Sequence, residues 1–343
     1  MREGRKRAHK KGRTAMAGIK DVAREAGVAV STVSKVLNNY PNVSKETKDK
    51  VNKAIKKLDF MPNAVAAALS SKQPGRVAIL INQMTNASID EVDMQYLSGA
   101  ILKAREKKLD VITLFFSMLG DKSLKEITAY LKSQNVEALV IFGLSKDDKV
   151  IMKLVESGEF KTVCVDAPLV SENSSCVWVD QYEAQYDVAE ALYKMNKPKK
   201  ILYLSGKKNS FVCEKRLQAV KDFCKKKKLT LKVEQADFSE KKAREIVLKI
   251  GADYDAVICA SDLCAIGAMM ALTKMDIFRP VCGFDGISLM GYAGRQMTTV
   301  KQDFTEIAMT AVEEAERLLL GEAGREVILP HKVVRIEYLD VIH

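Results

Sequence analysis

The sequence predicts an α/β protein in two unlike parts, a small all-helical N-terminal unit followed by a two-lobed body built on doubly wound parallel sheets. Three observations predict this. Apolar residues recur at helical spacing on both sides of Gly27, and nine short apolar runs alternate with amphipathic helical stretches from Arg76 onward. The charge also divides sharply between the two regions. With 343 residues, 47% hydrophobic and 29% charged, the chain exceeds what one hydrophobic core usually supports.

Residues 1–76 hold 18 Lys and Arg against 6 Asp and Glu, net +12, whereas the rest of the chain is net −1. A basic segment on a near-neutral body is the footprint of a polyanion-binding module, because each cation near a phosphate releases condensed counterions. Double-stranded nucleic acid is the expected partner. Residues 1–18 begin with seven Lys and Arg in the first fifteen positions, show no hydrophobic period, and read as a disordered basic tail, with Met16 a second candidate start.

The first element begins at Ile19. In "IKDVAREAGVAVSTVSKVLNN", Asp21 to Ala26 and Ser31 to Leu37 are helical segments around Gly27, so that Ile19, Val22, Ala23, Val33, Val36 and Leu37 share one small core. Helix, short glycine turn, helix is the helix-turn-helix signature, whose second helix enters the major groove by its N-terminus. Val30, Ser31, Ser34 and Lys35 are its exposed positions.

A third helix follows in "SKETKDKVNKAIKKLDF", with Ser44 as N-cap, Thr47 near the first turn, and Val51, Ile55 and Leu58 on one stripe. "PNAVAAALSSKQPG" comes next. There Pro62 and Asn63 break and cap, and Ala64 to Leu69 make barely two turns, a hinge helix that needs a partner to order it.

Runs such as "RVAILIN", "VEALVIFG", "KKILYLSG" and "YDAVICAS" then form two groups of strands separated by helices. In doubly wound folds, ligands bind beyond the carboxyl ends of the strands. The residues just past those ends are Asn82, Gly143, Asp166, Ser205, Phe238, Ser261, Asp262 and Asp285. Polar groups with one aromatic suit a polyhydroxylated small molecule in the cleft between lobes.

The segments "IKDVAREAGVAVSTVSKVLNN", "VSKETKDKV" and "FMPNAVAAALSSKQ" resemble the DNA-binding headpiece and hinge of the lac repressor/galactose repressor (LacI/GalR) family, nearly without gaps from Ile19 to Gln73. The resemblance continues more loosely in "CVWVDQYEA", "EKRLQAVKDF", "CASDLCAIGAMMAL", "CGFDGISL" and "MTTVKQD". It implies a sequence-specific transcriptional regulator, expected to be a repressor, that binds a palindromic operator as a homodimer and carries a periplasmic-binding-protein-like effector domain. It further implies base reading by Val30, Ser31 and Lys35, phosphate contacts near Thr32, Asn38, Ser44 and Thr47, and a minor-groove wedge at Leu69.

In the body the resemblance implies a pocket arginine at Arg216, an aromatic stacking partner at Phe238, a hydrogen-bond acceptor at Asp285 and a further polar contact at Ser261. Asp166, at its strand end, completes the expected effector set. A sugar fits these groups best, with a nucleobase or a protein partner as the alternative signal. The chain departs from the family pattern at Lys35 and Ala67, where arginine is usual, and at "NASIDEVDMQY", which replaces the usual "NPFF". Base preference and effector identity therefore do not carry over. Asp90, Glu91 and Asp93, near that loop, disfavour a phosphorylated effector if they face the cleft; at helical spacing the alternative is a solvated helix face.

The expected domains are a helix-turn-helix unit at 19–62, a hinge at 63–74 and an effector-binding domain at 75–343. Its first lobe takes 75–175 and 302–328, and its second takes 176–301 and 329–343. No GxGxxG follows a strand, and "LSGKKNS" lacks the spacing of a phosphate-binding loop. The three histidines, two of them terminal, offer neither a triad nor a metal cluster, so no enzyme, metal or cofactor is expected. Seven cysteines without CxxC pairs read as reduced core thiols. No apolar run reaches the roughly 18 residues a membrane span needs, and a secretory h-region is lacking, so a soluble cytoplasmic protein is expected.

Overall fold

The computed structural model describes residues 17–37, 40, 42–60, 76–82, 91–293 and 296–336. Residues 1–16 of the expected tail, Asn38, Asn63 and the expected hinge with Leu69 lie outside them. The chain divides after Gln73 into two compact units.

The first unit contains α1 (Ile19–Ala26), α2 (Val30–Leu37) and α3 (Lys45–Lys57). Gly27 closes α1 in the left-handed region at φ 64°, its N–H bonding back to the carbonyls of Ala23 and Arg24, a conformation that side chains with a Cβ adopt at a cost. Ser44 caps α3, its hydroxyl accepting from the Thr47 N–H over 3.3 Å. Val22, Val33, Val36, Val51, Ala54 and Phe60 form the core, flanked by Ile19, Leu37, Ile55 and Leu58. That core fixes which face of α2 is left outside.

The second unit holds two six-stranded sheets. The first is ordered β11-β5-β4-β3-β1-β2, from β1 (Arg76–Ile81), β2 (Val111–Phe115), β3 (Val136–Phe142), β4 (Lys161–Val165), β5 (Ser174–Val179) and β11 (Glu326–Leu329). The second is ordered β12-β10-β9-β8-β6-β7, from β6 (Lys200–Ser205), β7 (Thr230–Gln235), β8 (Ala256–Cys259), β9 (Val281–Cys282), β10 (Met297–Lys301) and β12 (Lys332–Ile336). All the strand pairs are parallel except β10 with β12. Helices cover the sheets: α4 (Glu91–Lys107), α5 (Leu124–Ser133), α6 (Lys149–Glu156), α7 (Gln181–Asn196), α8 (Phe211–Lys227), α9 (Glu240–Ile250), α10 (Asp262–Lys274) and α11 (Phe304–Leu319).

Two expectations need correction. Twelve strands are described where the apolar runs gave nine, the additional ones being β10 to β12. The first lobe also extends to Val179 rather than 175, because Ser174–Val179 pairs with β4 and β11. The chain crosses between lobes at Asp180, at Gln302 and Asp303, and after Leu329. The first two crossovers end in helix caps, with Asp180 accepting from the N–H groups of Tyr182 and Glu183 and Asp303 from that of Glu306. α4 and α11 pack closely because residue 99 is glycine; a Cβ there would lie 2.3 Å from the Thr305 carbonyl oxygen.

The candidate DNA-contacting helix and the inter-lobe site

On α2, Val30, Ser31 and Lys35 are exposed, Thr32 and Ser34 are half-buried, and Val33 and Val36 face the core. The exposed set lies along one side and includes the N-terminal turn, the placement that groove entry requires. Ser44 and Thr47 sit together at the start of α3, their hydroxyls 2.9 Å apart. Short hydroxyl groups at a helix N-terminus suit phosphate oxygens.

In the second unit the expected effector residues meet where strand ends face the crossovers. Arg216, on α8, is buried: its Nε donates to Gln181 Oε1 over 2.8 Å, its Nη1 donates to the Ala260 carbonyl and stands 3.7 Å from Asp285, and its guanidinium lies 3.6 Å from the Phe284 ring centroid. The Gln181 amide nitrogen donates to Asp166 Oδ1 over 3.0 Å and reaches Gln302 Oε1 at 3.5 Å. Gln302 in turn donates to Asp285 over 3.2 Å, and the Tyr96 hydroxyl donates to Asp166 over 3.3 Å. One hydrogen-bonded chain thus links Tyr96, Asp166, Gln181, Arg216, Asp285 and Gln302 across both lobes.

Burial drives the ionisation here. It pushes the Asp166 carboxyl up to about 6 against the attraction of Arg216, and raises the Tyr96 phenol well above its usual range. Asp262 is pushed up to about 6 by burial as well, although its carboxylate accepts from Thr299 Oγ1, Gly286 N and Ile287 N, which hold the loop that carries Asp285. Asp166, Phe238 and Asp285 have φ of 60°, 60° and 123°, three side-chain-bearing residues in the region that favours glycine. Helix ends and turns hold most of the other such residues, among them Lys197 and Lys228, whereas these three stand at the strand ends that carry the expected effector groups.

Phe238 is half-buried and packed against the backbone of Gly206; a Cβ on that glycine would fall 2.3 Å from the ring and 2.5 Å from Cys213 Sγ. Ser261 is buried and caps α10, its hydroxyl accepting from the Cys264 N–H at 3.4 Å. Sequence reasoning missed Tyr96, Gln181 and Gln302. The two glutamines follow or precede a crossover aspartate, a position that only the lobe connections reveal.

The lobes also touch at the cleft edges. Lys146 pairs with Glu214 at 2.6 Å and Asn209 donates to Asp147 over 3.0 Å, while Glu91 accepts from both the backbone and the hydroxyl of Ser288. Glu91 therefore does face the second lobe. A groove of about 540 Å³ opens between Lys132, Asn135, Phe160 and Leu319 at the starting ends of β3 and β4 and contains none of the expected effector residues. The convergent polar chemistry, rather than open volume, marks the site. All seven cysteines are buried and unbridged, and among the described residues no helix is long and apolar enough to cross a membrane.

Comparison with known proteins places this architecture. The chain is 28% identical over 308 residues to the HTH-type transcriptional repressor PurR of Vibrio vulnificus (strain CMCP6), spanning 87% of this chain and 90% of that one. It is also 28% identical over 338 residues to the catabolite control protein A of Staphylococcus xylosus, covering 93% and 97% of the two chains. Its fold matches the lac repressor dimer bound to operator and the anti-inducer ONPF, with TM-score 0.79 and 22% identity over 94% of this chain and 99% of that one. The complex of the transcriptional regulator CelR with cellobiose matches at TM-score 0.67 and 21% identity, over 93% and 99%. Residues 18–63 match the model for bacterial regulatory proteins of the lacI family, and residues 94–333 match that for periplasmic binding proteins and the sugar binding domain of the LacI family. The chain belongs to the LacI family, as a DNA-binding transcriptional regulator with an effector-binding domain and not as an enzyme.

Proposed function

We propose that the protein is a cytoplasmic repressor that binds a palindromic operator as a homodimer and responds to a small polyhydroxylated effector, a sugar, held between its lobes. The observation that carries the effector reading is the largely buried chain from Tyr96 to Gln302, with Asp166 and Asp285 half-buried, which joins donors and acceptors of both lobes at the crossovers. A sugar ring offers hydroxyls to Arg216, Asp166 and Asp285 and C–H groups to Phe238. Any ligand that rearranges these bonds shifts lobe closure by its differential affinity for the two arrangements, and DNA affinity moves reciprocally.

On the DNA side, Val30, Ser31 and Lys35 read bases, Thr32, Asn38, Ser44 and Thr47 position the unit on phosphates, and Ser34 and Asn63 complete the DNA-contacting set. Leu69 acts as the wedge in the minor groove. The homodimer is supported by an exposed apolar stripe on α4, where Met94, Ile101 and Leu102 are 49%, 46% and 54% exposed at helical spacing.

Thermal unfolding of the full chain across a panel of sugars, sugar phosphates and nucleobases tests the effector reading. A ligand at 100 times its Kd adds about 2.7 kcal/mol, a shift of several degrees. A sugar-specific shift that disappears in Phe238→Ala and Asp285→Ala supports the site; no shift with any sugar overturns the sugar reading.

A further inference from the structure

The body of the chain is net −1, yet its positive charge is not evenly spread. Ten lysines crowd the end of the second lobe away from the strand ends that carry the effector residues: 194, 197, 199 and 200 at the end of α7 and start of β6, and 221, 225, 226, 227, 228 and 232 along α8 and into β7. The two groups meet at one ring. Lys197 Nζ lies 5.0 Å and Lys227 Nζ 5.3 Å from the centroid of Tyr193, and Lys200 is the parallel partner of Thr230.

Four carboxylates face this cluster. Glu190 pairs with Lys194 at 3.3 Å and with Lys227 at 3.7 Å, and Glu234 pairs with Lys232. Asp222 is held by Tyr182 and Gln218, and Asp255 accepts from the backbone N–H groups of Lys199 and Lys200. Lys199, Lys221, Lys225 and Lys228 are exposed and have no ion-pair partner among the described residues. Attraction to the helix C-terminal dipole accounts for lysines in the last turns of α7 and α8, but it fades beyond one turn and leaves Lys199, Lys200, Lys221 and Lys232 unexplained.

We propose that this lysine face is a second, sequence-independent contact for the backbone of duplex DNA, separate from the helix-turn-helix. The residue type favours nucleic acid over protein. Protein interfaces are depleted in lysine and enriched in arginine, whereas phosphates accept compact, strongly hydrated point charges and release counterions in return. Ten lysines beside a single half-buried arginine, Arg279, whose Nε is engaged by the Tyr254 carbonyl, is a surface that attracts a polyanion without reading it.

The test uses the full chain and a 60-base-pair duplex of random sequence. Binding is measured against salt for the wild type and for a variant with Lys199, Lys221, Lys225 and Lys228 all changed to Gln. A control variant loses the same charge elsewhere on the body, at Lys122, Lys125, Lys241 and Lys274, all exposed. Direct contact predicts that the slope of log K against log salt becomes shallower by about 3 to 4 in the first variant and stays at the wild-type value in the control, with equal melting temperatures in all three. Equal slopes in the wild type and the first variant, or equal changes in both variants, overturn the proposal. Loss of polyglutamate binding in the first variant with an unchanged DNA slope overturns it too and assigns the face to an acidic protein.

Discussion

Arg216 and Gln181 are joined by a 2.8 Å hydrogen bond from the guanidinium Nε to the amide oxygen, which turns the amide nitrogen of Gln181 toward Asp166. An arginine of the second lobe and an acid near the end of a first-lobe strand are thus oriented by one side chain next to a crossover. The amide is the right group, because it donates on one side and accepts on the other.

Gln181→Leu keeps much of the volume and removes both functions. It leaves a buried guanidinium N–H without its acceptor, at a cost of about 1 to 3 kcal/mol. The melting temperature is expected to fall by several degrees, and any effector-induced shift is expected to shrink further. Unchanged melting and an unchanged ligand shift would mean that the bridge contributes to neither stability nor binding.

Gly206→Ala tests the placement of Phe238 from below. The added Cβ enters space held by the ring and by Cys213 Sγ, so one of them must move, at roughly 1 to 3 kcal/mol for overpacking. Effector affinity, read by calorimetry, is expected to fall while operator affinity without effector stays within twofold. Wild-type effector affinity would show that the ring position does not matter to the ligand.

Asp166 makes a pH prediction with a definite sign. Its folded carboxyl titrates near 6, above its ordinary 3.8, so between those values the folded state binds the extra proton and stability declines as pH rises. Asp166→Asn removes that decline. The melting temperature of the variant relative to wild type is expected to rise from pH 4 to pH 7, and Asp262, with the same shift, cancels in the difference. A flat difference would place the ionised Asp166 in a better-solvated setting than its burial implies.

How much of this was legible in the sequence depends on what each residue answers to. Strands such as Val136–Phe142 are buried on both faces and so read as continuous apolar runs. β11 and β12 are four- and five-residue, partly exposed strands, and β10 reads "MTTVK", so their hydrophobic signal is too short or too polar to detect. Asp166, Phe238 and Asp285 were visible because strand ends are predictable positions. Tyr96, Gln181 and Gln302 were not, since a polar side chain on a helix or crossover gains its partners only when two distant lobes close around it.

The α4 stripe predicts assembly. Ile101→Asp with Leu102→Asp places two charges in an apolar face that a second copy must cover, while neither side chain is buried within the chain itself. Sedimentation is expected to show a dimer for wild type and a monomer for the variant, with the first unit's helices intact by circular dichroism. A variant that still sediments as a dimer would move the interface elsewhere.

Lys35 is exposed on α2 one turn along from Ser31, with Val33 and Val36 anchoring the helix from the core side. A flexible ammonium there has two possible partners, a base edge or a phosphate, and the two predict different patterns. If Lys35 reads a base, Lys35→Ala costs about 1 to 3 kcal/mol on the best sequence and relaxes preference at one position per half-site, leaving the salt slope nearly unchanged. If it holds a phosphate, every sequence loses alike and the slope becomes shallower by about 0.9 per contact. Selection from a randomised duplex pool, repeated at two salt concentrations, separates these cases. The expected outcome is relaxed preference at one symmetric pair of positions, because Lys35, in the last turn of α2 but on the same exposed side as Val30 and Ser31, carries a side chain long enough to reach a base edge, which the shorter Thr32 and Ser44 do not.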